Sequence, residues 1–130
     1  MDWQSHREHR PMRSLSTFKH VYICKEPVDG RKQINTLAVL VEADLGRSPL
    51  DGSLFVFINR RRDTLKMLYY DRTGFALWCK RLESATFRWL KWPQSRGSAE
   101  ISAKHLEMLL DGFDVFSTKP HEEKYYSRLS

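Results

Sequence analysis

Residues 54–81 read LFVFINRRRDTLKMLYYDRTGFALWCKR, and the fold turns on how this stretch alternates between apolar and basic residues. Leu54–Ile58 is apolar at every position, the pattern of a central strand covered on both faces. Asn59–Asp63 interrupts it with three arginines. Thr64–Asp71 resumes as a strand, with Leu65, Met67 and Tyr69 on one face by the period of two. Arg72–Gly74 is a tight turn. FALWCKRLE, 75–83, is a further strand, and TFRWL, 86–90, another. Short turns between consecutive apolar runs predict an antiparallel meander. Lys80 and Arg81 are neighbours, so in a regular strand they point to opposite faces, and one of them needs an edge, a bulge or an acidic partner.

Working outward, HVYIC at 20–24 is a β-branched and aromatic run, a first strand. The period then changes: Ile34, Leu37, Ala38, Val41 and Leu45 form one apolar stripe at helical spacing, which predicts a helix over 30–45. Gly46 is placed to end it. Residues 92–98, WPQSRGS, break the pattern on the other side. Ser102 is placed as the N-cap of a second helix with Leu106, Leu109 and Leu110 on its apolar face and Gly112 at its end. The expected class is α+β, a single domain with an antiparallel β-meander of four to five strands and two packed α-helices. Residues 1–17 read as a disordered basic N-terminal arm, 18–116 as the domain, and 117–130 as a flexible tail.

A chain of 130 residues suits one domain and buries enough surface to need no staple. No apolar run approaches a membrane span, and no apolar segment of signal-peptide type follows the N-terminus. Cys24 and Cys79 are not in a C-x-x-C pair and read as small buried thiols, so a cytoplasmic location is expected.

Charge is distributed unevenly. Between Arg60 and Lys91 stand nine basic residues against Asp63, Asp71 and Glu83, which accounts for the whole net charge of +6. A segment of this kind points to a polyanion, nucleic acid first, or to a solvated face kept for solubility. In PVDGRKQ, Asp29 is placed as an N-cap, with Arg31 and Lys32 in the first turn. Cations there oppose the helix dipole. Beside Gly30 they suit a phosphate on the helix N-terminus; the other reading is that Asp29 or Glu26 simply pairs with them. Tyr69, Tyr70, Phe75, Trp78, Phe87, Trp89 and Trp92 mingle with these cations, as in single-strand stacking platforms, yet core packing is the commoner use of such residues. Trp89 and Trp92 follow the last strand and are the ones expected to be partly exposed.

Catalytic constellations are missing. His6, His9, His20, His105 and His121 make no metal spacing, and there is no P-loop, G-x-G-x-x-G or G-x-S-x-G. Asp63 and Asp71 flank turns, where aspartate is a common structural residue. The expectation is a protein that is not an enzyme, with no cofactor, no metal, no small-molecule substrate and no membrane contact.

One pattern is long and ordered: VYICKEPVDGRK-x-IN-x-LAVLV, then GSLFVFINRRRDTLKMLYYDRTGFALWCKRLE, then FRW, then EISAKHLEMLLDGFD. It resembles the second-open-reading-frame accessory proteins of the insertion-sequence-sixty-six family, often labelled TnpB, a label shared with an unrelated RNA-guided nuclease. The similarity spans roughly residues 20–116. It implies a non-catalytic protein that assists transposition alongside a separate, larger transposase. The resemblance puts the family signature on Asp29, Arg31, Lys32, Phe55, Phe57, Arg60, Arg61, Asp63, Lys66, Asp71, Gly74, Phe75, Lys80 and Arg81. Two features depart from it: the arm at 1–17 is longer, and Gln33 and Ile34 stand where members often carry a Gly and an aromatic.

Charge and resemblance together make Arg31, Lys32, Arg60, Arg61, Arg62, Lys66, Arg72, Lys80, Arg81 and Arg88 the candidate DNA contacts. The expected partners are DNA and the element-encoded transposase. The alternative is a protein-interaction module that docks on the transposase without binding DNA.

Overall fold

The structure, a computed structural model, describes residues 14–89, 92 and 96–111. A 3-10 turn, Leu15–Thr17, precedes β1 (Val21–Cys24), α1 (Ile34–Ala43), β2 (Leu54–Ile58), β3 (Thr64–Asp71), β4 (Gly74–Arg81), β5 (Ser98–Ile101) and α2 (Ala103–Leu110). The five strands form one sheet in the order β4-β3-β2-β1-β5, so the domain is α+β with two helices. Residues 1–13 and 112–130, with the arm's first thirteen positions, the tail and the stop at Gly112, lie outside the described residues. Leu15 and Phe18 are buried in the core.

The meander is present as β2–β3–β4, paired antiparallel throughout. The expectation of a wholly antiparallel sheet is corrected at β1, which runs parallel to β2 in the register Val21↔Leu54. The reason is the connection. Residues 25–53 form a long connection that contains α1 instead of a two-residue hairpin, and a crossover of that length lets the chain return in the same direction. A second correction concerns 86–90. Thr86 and Arg88 are exposed while Phe87 and Trp89 are buried, so the alternation is real, but its described residues, 86–89, join no ladder. The place beside β1 is taken by β5, antiparallel in the register Val21↔Ile101. Alternation reports which side chains are buried, and a strand needs backbone partners as well.

Both faces of β2 are covered, as its all-apolar sequence requires. Phe55 and Phe57 join Tyr22, Cys24, Leu37, Val41 and Leu68 under α1. Leu54, Val56 and Ile58 join Ile23, Leu65, Met67, Phe87, Leu106 and Leu109 under α2. Full burial of each such side chain is worth about 1.5–3 kcal/mol. The predicted helix over 30–45 is shorter at its start. Its N-cap is Gln33 rather than Asp29, because Asp29 is engaged in a turn of its own, with Lys32 N–H donating to the Asp29 carbonyl at 3.1 Å. The helix is also shorter at its end, stopping at Ala43 with Asp44 as C-cap; Gly46 follows with φ +65°, and Arg47 N–H returns to the Val41 carbonyl at 3.2 Å. Ser102 caps α2, its Oγ accepting from His105 N–H at 3.1 Å.

Among the described residues two that are not glycine have positive φ, Arg62 at +63° and Arg72 at +43°. Both sit at hairpin tips, where such angles are normally supplied by Gly or Asn. A side chain in the left-handed region costs roughly 1–2 kcal/mol, part of which glycine gives back as unfolded-chain entropy. Arg62→Gly is therefore expected to stabilise the fold by roughly 0.5–1 kcal/mol in urea unfolding. A destabilised variant would show that the Arg62 side chain contributes packing that outweighs its backbone strain.

Cys24 is 3% exposed, and burial pushes its thiol up to about 11, while the Cys79 thiol is raised as well, again chiefly by burial. For a thiol raised on folding, the contribution to stability is complete below the unfolded pKa of about 8.5 and lost as pH rises through the folded value. The parent should lose about 2–3 kcal/mol more than Cys24→Ala between pH 8 and pH 11.5, read from parallel urea titrations. Equal losses in the two proteins would remove Cys24 from the account.

Candidate nucleic-acid interface

The β2–β3 hairpin carries the three consecutive arginines, and Asn59 fixes its shape. The Asn59 carbonyl accepts from Arg62 N–H at 3.0 Å, closing the turn. Its side-chain Oδ1 accepts from the Asp63 and Thr64 N–H groups at 3.1 and 3.0 Å. Its Nδ2 donates to Asp63 Oδ1 at 2.7 Å. That bond is the main cause holding the Asp63 carboxyl below its usual range, with Thr64 and the charge of Arg61 adding to it. The acid nearest the three arginines is thus committed to the turn. Among the described residues, none of Arg60, Arg61 and Arg62 forms an ion pair, and Arg60 and Arg61 are exposed.

The loop before α1 lies against the root of this hairpin. Val28 N–H donates to the Ile58 carbonyl at 2.9 Å, and Val28 bridges to Asn59. A Cβ on Gly30 would sit 3.4 Å from the Asn59 Cβ, in van der Waals contact, so the loop passes close over the turn. Arg31 and Lys32 are carried to the same end of the sheet. Arg31 donates through Nε and a terminal nitrogen to the two Asp29 oxygens at 3.1 and 2.7 Å, and its N–H bonds Asp29 Oδ1 at 2.9 Å. The guanidinium holds the Asp29 carboxyl well below the usual carboxylate range and is itself raised by the pair. The Arg31 side chain is 91% exposed, so this bridge adds little stability. The reading that placed Arg31 and Lys32 in the first turn of the helix as a phosphate site is corrected. The helix begins at Ile34, and the anion beside Arg31 is the protein's own carboxylate.

The register brings the end of β4 to the same place, pairing Lys80 with Leu65 and Arg81 with Thr64. The two neighbours do face opposite ways. Lys80 lies on the α2 side, where its Nζ donates to the Leu110 carbonyl at 3.2 Å, a favourable place for a cation at a helix C-terminus. Arg81 is exposed at the sheet edge. Arg88 follows Phe87, whose N–H donates to the Arg62 carbonyl at 2.7 Å. Lys80, Leu82, Ala85, Thr86, Arg88, Leu110 and Asp111 line a cleft of about 680 Å³.

Two of the ten candidates are elsewhere. Lys66 is only 7% exposed, and its Nζ donates to the Lys32 carbonyl at 2.7 Å beneath the loop leading into α1. Lys66 holds the loop and is closed to an external phosphate in this arrangement. Arg72 sits at the opposite tip, beyond the far end of β3, roughly 23 Å away at 3.3 Å per residue. The hairpin residues Arg60, Arg61 and Arg62, with Arg31, Lys32, Lys80, Arg81 and Arg88, all gather at one end of the sheet.

The aromatics are mostly structural. Tyr69, Phe87 and Trp89 are buried, so Trp89 is not the partly exposed residue that was expected. Tyr70 packs edge-on against Phe75 at 5.2 Å between ring centroids. Trp92 is half-buried, with Lys25 Nζ 5.4 Å from its ring centroid. Sequence reasoning missed Asn59, although an Asn opening a five-residue polar interruption is itself a turn signal. No group of three or more His, Cys, Asp or Glu that could hold a metal occurs among the described residues, and no helix among them is long and apolar enough to cross a membrane.

Comparison with known proteins agrees with the sequence pattern. The family model described as IS66 Orf2 like protein matches residues 19–120. Two proteins of Sinorhizobium fredii (strain NBRC 101917 / NGR234) are similar. The protein y4hO is 39% identical over 95 residues, covering 72% of this chain and 80% of its own. The protein y4jC is 34% identical over 94 residues, covering 72% and 79%. No solved structure matches. With its apolar strands, its arginine hairpin and most of its length inside the matched span, the chain belongs to the IS66 Orf2-like family of insertion-sequence accessory proteins.

Proposed function

We propose that this accessory protein assists transposition by gripping the backbone of DNA with the basic end of its sheet. One observation carries the reading: eight basic residues from four separate segments converge there, and among the described residues only Arg31 has an acidic partner. Phosphate contacts of this kind orient a protein on a duplex and read no sequence. Lys80 supports the end through the Leu110 carbonyl, and Lys66 supports it from within through the Lys32 carbonyl. Arg60, Arg61, Arg62, Lys32, Arg81 and Arg88 are the contacts proposed.

The cleft between the β4 end and α2 favours a second reading. It is lined by Lys80, Arg88 and Asp111 together with Leu82, Ala85 and Leu110. A concave cleft that mixes apolar side chains with charges of both signs fits a protein segment better than it fits a duplex. Under that reading the same end docks on the transposase.

Fluorescence anisotropy of labelled duplexes across a salt series separates the two. Neutralising six phosphates predicts a log–log slope of about −5. Replacing Arg60, Arg61 and Arg62 by Ala should flatten that slope by about three and weaken binding to all sequences alike. Arg72→Ala, at the other tip, should change affinity less than about twofold. Binding that depends on Arg72 as much as on the triple would overturn the one-ended interface. Lack of DNA binding by folded protein, with a transposase complex that survives nuclease treatment, would favour docking.

A further inference from the structure

The sheet ends on one side at β5, four residues long, and on the other at β4, eight residues long. The ladder fixes where each β4 backbone group points. Asn59 N–H donates to the Thr64 carbonyl at 3.2 Å. Residues 64, 66 and 68 of β3 therefore turn their backbone groups toward β2, and residues 65, 67, 69 and 71 turn theirs toward β4. Through the register from Leu65↔Lys80 to Asp71↔Gly74, Gly74, Ala76, Trp78 and Lys80 bond back to β3. Phe75, Leu77, Cys79 and Arg81 turn their N–H and C=O groups outward, and among the described residues no strand or loop pairs with them.

Proteins normally blunt so long an edge with a proline, a bulge or a charge. From Phe75 to Cys79, β4 has none of these: the register is unbroken and all five residues are apolar. Their side chains are half-buried on both faces. Ala76 and Trp78 pack against the core beneath α2, and Phe75 and Leu77 against the core beneath α1.

We propose that β4 pairs antiparallel with β4 of a second copy of this chain, joining the two sheets into one. A second copy fits because β4 is complementary to itself in this direction. Outward residues must meet outward residues, so the twofold axis falls on a single residue paired with itself. With the axis at Trp78, Leu77 meets the partner's Cys79 and Phe75 meets the partner's Arg81. All four outward residues are then used. Trp78 meets the partner's Trp78 at a non-hydrogen-bonded position, where opposing side chains come closest. Lys80 and Arg81 of the two copies lie at opposite ends of the joint, whereas a parallel arrangement would set them side by side. Each copy carries a net charge of +6, so salt strengthens this association, the reverse of its effect on phosphate contacts. The inference does not rest on DNA binding.

Sedimentation velocity of the full chain at high salt, over a concentration series reaching the near-millimolar range, measures the association directly. Amide hydrogen exchange by NMR locates it. The expected result is a monomer–dimer equilibrium in which the Phe75, Leu77, Cys79 and Arg81 amides slow at least about tenfold on dimer formation. The Gly74, Ala76, Trp78 and Lys80 amides should be protected in both states. A chain that stays monomeric throughout, or a dimer whose outward amides exchange as in the monomer, would overturn the proposal. Cys79→Pro removes an outward N–H while leaving the β3 ladder intact, and should abolish the dimer with sheet circular dichroism retained. Should that variant not fold, Leu77→Lys places a charge in the middle of the edge, as native edges do. A folded variant of either kind that still dimerises also overturns the proposal.

Discussion

The burial of β2 on both faces is the constraint from which the rest of the architecture follows. Phe55 and Phe57 look one way and Leu54, Val56 and Ile58 the other, and none is more than 1% exposed. A strand whose two faces are both fully buried is a central strand. It needs a neighbour on each side and a layer above and below. The β3 hairpin supplies one neighbour. The other is β1, delivered parallel because the chain spends its connection on α1, which covers the Phe55 and Phe57 face. The opposite face is closed by α2 together with Phe87 and Trp89 from a segment that is not a strand. Removing the two-sided burial would remove the reason for a crossover helix, and with it the parallel pair.

The same constraint explains where the charges go. A sheet covered on both sides has little room for cations in its middle, so they are driven to turns, strand ends and the sheet edge. Lys66 is the exception, and its buried ammonium is met by the Lys32 carbonyl at 2.7 Å. That bond makes a buried cation tolerable and ties the loop before α1 to the strand beneath it. Lys80 uses the Leu110 carbonyl in a similar way on the other face. Both lysines act as struts: Lys66 ties the loop before α1 to β3, and Lys80 ties the end of β4 to the C-terminus of α2.

The two hairpin tips share an unusual choice. Arg62 and Arg72 each occupy a positive φ that glycine would adopt without strain. A side chain kept at a strained backbone position often belongs to a functional surface. The two are not equivalent in their surroundings. Arg62 belongs to a turn organised by Asn59 and receives a hydrogen bond from Phe87. Arg72 stands at the other end of β3, apart from the basic group.

Several features were legible in the sequence because they depend on neighbours a few residues apart. The apolar run 54–58, the two hairpin turns, the α1 stripe with its Gly46 stop and the Ser102 cap are local patterns, and each appears where periodicity and turn chemistry place it. The α+β class and the concentration of basic residues in one segment follow from them. Tertiary structure alone decided the rest. Parallel pairing of β1 with β2 depends on a long-range return of the chain, and the choice of β5 over 86–90 depends on which segment offers backbone partners to β1. The sorting of the candidate site was equally long-range. In the sequence Lys66 and Arg72 look like Arg60 and Arg61, equally basic and only a few residues away. Register turns Lys66 inward beneath α1 and carries Arg72 to the far tip, while it gathers Arg31, Lys32, Lys80, Arg81 and Arg88 beside the arginine hairpin. A strand's period of two says that neighbouring side chains face opposite ways, but only the packed layers determine which of those faces meets water.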